Sequence, residues 1–119
     1  MYKIANKPVA QGDILIQRID ILSDDIIKVE PESGQYVVAH SEKGGHHAIA
    51  VNPYTTFYRS ANDNTVAYLV VNNAPETEEI ELKHHRPFDT HESYGLSNGI
   101  FRIRRQMEGG LRGFAIVAD

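Results

Sequence analysis

Apolar and polar residues alternate along this chain in short runs, and the runs are separated by Gly, Pro, Asn and Asp. No stretch repeats apolar positions at three- and four-residue spacing over the ten or so residues a helix needs. "DILIQRID" (13–20) follows Gly12 and reads as a mostly buried strand, with "DIIKVE" as its continuation after a kink at Ser23-Asp24. "QYVVAHS" (35–41) is β-branched and aromatic, and "HHAIAVN" (46–52) follows "EKGG", a connection suited to closing a hairpin. "TTFYRS" and "TVAYLVVNN" are joined by the turn composition "ANDN". "EEIELKH", "GIFRIRRQM" (99–107) and "FAIVAD" complete the set. The pattern predicts an all-β fold: a single small β-barrel or β-sandwich of about eight short, mostly antiparallel strands. Residues 1–119 form one domain, with 1–11 as an N-terminal arm.

Composition narrows the function. The net charge of −4 argues against a general nucleic-acid binder, which needs cationic surface to displace counterions. The chain has no Cys, so disulfides, thiolate metal sites and cysteine nucleophiles are excluded. No apolar run approaches the roughly 20 residues of a membrane span. "MYKIANKPVAQGD" lacks the features of a signal peptide, so an intracellular site of synthesis is the expectation. No nucleophile elbow or phosphate loop is present.

The six histidines are the remaining source of chemistry. Period-two alternation puts His40 with Tyr36 and Val38, His47 with Ile49 and Val51, and His84 with Ile80 and Leu82. These three are expected to point inward, with His40 facing His47 across a hairpin. His91 and Glu92 in "DTHES" offer a further imidazole and a carboxylate. Such a set suits Zn²⁺, Fe²⁺ or Ni²⁺, as in cupin folds, so His40, His47, His84 and His91 are the candidate metal ligands. The usual His-x-His spacing fails, however. Gly45 stands where the same-face partner of His47 would be. The simpler reading makes the inward imidazoles hydrogen-bonded core groups, with no catalytic residue and no cofactor.

Three segments, "VVAHSEKGGHHAI", "FDTHES" and "GIFRIRRQME", carry a resemblance. The chain resembles a family of small proteins encoded by tailed phages, prophages and some bacteria. Their sequences open with a "GD-apolar-apolar" strand. They continue through "HSETGHHH"-like and "DTHE"-like segments and close on a strand like "YRVRRQREY". The likeness spans about Gly12 to Met107. It brings no activity and no catalytic residues. This chain departs from the pattern at Gly45, where the family has a histidine, and in its apolar last segment. The resemblance implies a structural virion protein, a capsid decoration or cement protein. Its partners would be the major capsid protein, other virion subunits or further copies of itself. The expected contact residues are Tyr2 and Ile4 in the arm, Arg102 and Arg104 on one face of "RIRRQ", and Phe114 in the final strand. The alternative is a cupin-like metal-binding protein acting on a small molecule.

Overall fold

The alternating runs form strands because their β-branched and aromatic residues cover one face of a sheet and turn polar residues outward. A computed structural model of the chain describes residues 2–3, 7–40, 45–85 and 90–105. The strands are β1 (Tyr2–Lys3), β2 (Val9–Gln11), β3 (Ile14–Ile19), β4 (Ile26–Lys28), β5 (Gln35–His40) and β6 (His46–Ala50). They continue with β7 (Thr55–Ser60), β8 (Val66–Val71), β9 (Glu81–His85), β10 (Thr90–Gly95) and β11 (Gly99–Arg105). They make one sheet in the order β1-β10-β9-β6-β5 and a second in the order β2-β3-β11-β8-β7-β4. The ladders are antiparallel except the short parallel pairing of β1 with β10. The fold is therefore a sandwich rather than a closed barrel. "FAIVAD", and with it Phe114, lies outside the described residues.

Three details differ from the reading of the sequence. "DIIKVE" does not extend β3. It crosses to the opposite edge of its sheet, where Ile26, Ile27 and Lys28 pair with Ser60, Arg59 and Tyr58. The end of the expected arm, Val9–Gln11, is a strand paired with β3, and Gln11 is fully buried. Thr90–Gly95, which takes up "THES", forms β10, whose residues alternate too weakly to announce a strand.

The core lies between the sheets. Phe57, Leu69 and Phe101 stand side by side on β7, β8 and β11, and all three are completely buried. Tyr36, Ile49 and Leu82 face them from the other sheet, and the rings of Tyr36 and Phe57 lie 6.0 Å apart. The inner rows of β3, β7 and β11 each end in an arginine where the sandwich opens. On β3 the row Ile14-Ile16 ends at Arg18, whose guanidinium covers the Phe101 ring at 4.9 Å. Arg18 also donates to Asn98 O (2.9 Å) and Ser97 Oγ (2.6 Å). On β7 and β11 the rows end at Arg59 and Arg105, at the opposite mouth. These two guanidiniums donate to β5 carbonyls, Arg59 to Val37 O and Val38 O and Arg105 to His40 O. Acceptors of an edge strand, which would otherwise invite pairing with another chain, are thereby occupied.

Candidate functional site

The most concentrated polar chemistry sits between the sheets, around His47. It begins with the turn "QGD". Gln11 pairs with Ile14, so Gly12 and Asp13 are the two central residues of a tight hairpin. Gly12 has φ of 57°, as the first position of a type II′ turn requires. The turn sends Gln11 inward from the end of β2 and sets Asp13 two residues further on. Both reach His47, one at each ring nitrogen. His47 Nδ1 lies 2.9 Å from Gln11 Oε1, and Nε2 lies 2.8 Å from Asp13 Oδ1.

The orientation of the Gln11 amide follows from its second partner. Gln11 Nε2 donates to Leu82 O at 2.9 Å, so its amide oxygen is the atom that faces His47. Asp13 offers a carboxylate oxygen. Both ring nitrogens thus face oxygen atoms, and the His47 ring is clamped between an amide and a carboxylate. Burial alone would raise the Asp13 carboxyl. The hydrogen bond from His47 and the charges of His47 and Arg105 outweigh burial and hold it below the ordinary carboxylate value. Arg105 Nε stands 3.7 Å from Asp13 Oδ2. His47 is 0% exposed and His84 1% exposed, and their rings stack at 4.1 Å with planes 13° apart.

The strand register sorts the histidines differently from simple alternation. A bulge at Val38 shifts the β5–β6 pairing between Val37 and Ala39. His40 consequently faces His46, and Ala39 faces His47. His40 is exposed on the outer face while His47 is buried, so the expected cross-hairpin pair does not form. An extra residue in one strand reverses the alternation beyond it. His84 does pair with His47 across β6 and β9, and the backbone of His91 is opposite His84 in β10. The side chain of His91 lies outside the described residues. On the outer face His40, His46 and His85 make a row across three strands, with ring separations of 6.5 and 4.8 Å. Burial, and then the neighbouring His85, His40 and His47, push the His46 imidazole below its usual value.

Neither set is arranged as a metal centre: among the described residues no group of three His, Cys, Asp or Glu side chains could hold an ion. Both His47 ring nitrogens are already engaged by Gln11 and Asp13, so neither is turned toward a metal. The ring is also 0% exposed, so it does not face a substrate in acid–base catalysis.

Of the expected contact residues, Arg104 is exposed, whereas Arg102 is half-buried and donates to Gln17 Oε1 at 2.8 Å. Ile4 and the Tyr2 side chain lie outside the described residues. Gln11 and Asp13 escaped the sequence reading. The one signal available was "QGD" itself, a tight-turn composition with two hydrogen-bonding side chains directly before an apolar strand.

No helix among the described residues is long and apolar enough to cross a membrane. No curated protein and no solved structure matches the chain. A family model does match it over residues 10–106, a span that holds the "QGD" turn, both histidine rows and all of β11. The chain belongs to this family, described as a domain of unknown function (DUF8820).

Proposed function

We propose that this protein is a structural β-domain that works by surface contact, as a decoration or cement protein on the shell of a tailed-phage particle. The observation that supports this best is the use made of His47. The residue with the strongest claim to chemistry serves as an internal strut, tying the "QGD" turn of one sheet to β6 of the other. What the described residues then present to a partner is a rigid surface. The resemblance to small tailed-phage proteins supplies the particle.

The exposed apolar side chains suggest where contact occurs. Ile21 is 82% exposed and Ile27 58% exposed, both in the segment that leaves β3 and enters edge strand β4. Covering each aliphatic side chain on a shell subunit would contribute about 1.5–3 kcal/mol. Repetition over many equivalent shell sites would multiply such weak contacts if the copies are joined to one another. Arg104 and the arm residues Tyr2 and Ile4 are further proposed contacts.

The test is add-back. Particles lacking the protein are mixed with the purified chain, and occupancy and heat resistance of the particles are measured. Saturable binding with raised heat resistance is expected, reduced strongly by Ile21→Asp with Ile27→Asp and by deletion of Met1 to Lys7. A chain that stays monomeric and ignores the particles would refute the reading.

A further inference from the structure

At the mouth of the sandwich, the inner rows of β7 and β11 end in Arg59 and Arg105 with β8 between them. The residue of β8 at this level is Ala67, which pairs with Arg59 on one side and Ile103 on the other. Its methyl group is too small to fill the space left by the larger neighbours. A pocket of about 260 Å³ results, with a floor of Ile14, Val38, Ala67 and Ile103 and a rim of Arg59, Arg105 and Thr65.

Asp13 is engaged by both His47 and Arg105. No described carboxylate lies within salt-bridge distance of Arg59, and Glu32 acts on it only through its charge at longer range. The Arg59 guanidinium is held over the Phe57 ring at 5.1 Å and makes only two long hydrogen bonds, 3.4 Å each, both from Nη2. Nε and Nη1 are left for another acceptor. The described carboxylates around the two arginines are Asp13, at 3.7 Å from Arg105 Nε, and Glu32, whose charge acts on Arg59 from beyond salt-bridge distance. A planar, pre-positioned guanidinium beside an apolar floor matches a carboxylate better than a fully polar oxyanion, because the floor needs an apolar body to cover it.

We propose that this pocket binds a small carboxylate with an apolar body, the carboxylate on Arg59 and Arg105 and the body on Ala67, Val38 and Ile103. The site is independent of the shell-contact reading, since it lies at the sandwich mouth and needs no second subunit.

The test uses the full chain, with benzoate as the probe and benzamide and inorganic phosphate as controls. Binding is followed by amide chemical shifts in nuclear magnetic resonance spectra and by calorimetry. Benzoate is expected to shift Thr65, Ala67 and Ile103 saturably at millimolar concentration. Benzamide and phosphate should each bind about tenfold more weakly or worse, one lacking the charge and the other the apolar body. Arg59→Gln should weaken benzoate by about tenfold, and Arg59→Lys should recover only part of that because it keeps the charge without the fork. Ala67→Val, which narrows the pocket and leaves both arginines, should also weaken it. Shifts confined to other residues, equal affinity for phosphate, or unchanged benzoate affinity in the Arg59 variants would overturn the proposal. Should the variants fail to fold, the shift map and the two controls on the parent chain decide it alone.

Discussion

Replacing Asp13 by Ala should destabilise this protein more than any other substitution at a surface turn. The residue sits at the second central position of a tight hairpin, where Ala is sterically acceptable, so the backbone contributes little to the effect. What is lost is the acceptor for His47 Nε2, 2.8 Å away, and the charge that balances His47 and Arg105. His47 is 0% exposed, so water cannot replace the lost partner without opening the sandwich. Removing one member of a buried ion pair costs about 3–5 kcal/mol. Against a total stability of about 5–15 kcal/mol this is a large share. The melting temperature should fall by roughly 10–20 °C for a domain of this size. Urea unfolding followed by tyrosine fluorescence suits a chain with six Tyr and no Trp. The midpoint should move while the slope stays constant. The pH dependence gives a second check. The Asp13 carboxyl is lower in the folded protein than its ordinary value of 3.8, so the unfolded chain binds the proton more tightly. The stabilisation is therefore complete above about pH 4 and is lost as the pH falls through the folded value. The gap between the parent and Asp13→Ala should close on the acid side. A loss below about 1 kcal/mol at neutral pH, the level of an exposed pair, would refute the role of Asp13 in clamping the His47 ring.

Gly99→Ala should cost about 1–3 kcal/mol, measured by the same unfolding curves, because Gly99 has φ of 152° and a Cβ there would meet the Arg18 guanidinium. His46 should titrate below the ordinary value of 6.5 in nuclear magnetic resonance spectra. Its unfolded state binds the proton more readily, so stability should fall as pH drops below that value, and His46→Gln should lessen the fall. Phe101→Ala, at a fully buried position between β3 and β8, should cost about 3–5 kcal/mol by chemical denaturation. The purified protein should carry sub-stoichiometric metal by elemental analysis, and a metal-to-protein ratio near one that His47→Ala abolishes would reverse the assignment of His47 as a strut.

The strands themselves were written locally. "QYVVAH", "HHAIA", "TTFYRS" and "GIFRIRR" announce their direction and buried face through period-two alternation, because one face of each must leave water. Their bounding turns carry Gly, Asn and Asp for reasons that act over a few residues. The order of the strands was not legible. β4 looks like a continuation of β3, yet it pairs with β7 on the far edge of the sheet, a partnership set by tertiary packing and not by neighbouring residues. The histidines show the same division. Alternation rightly buried His47 and His84, which stack in register on β6 and β9. It wrongly buried His40, because the bulge at Val38 is set by pairing with β6 and leaves no mark in the order of residues. The clamp on His47 depends on contacts 34 and 36 residues apart in sequence. Only the closure of one sheet over the other brings the "QGD" turn to that imidazole. The same closure sets Arg59 and Arg105 around Ala67, turning the ends of two strands into a pocket.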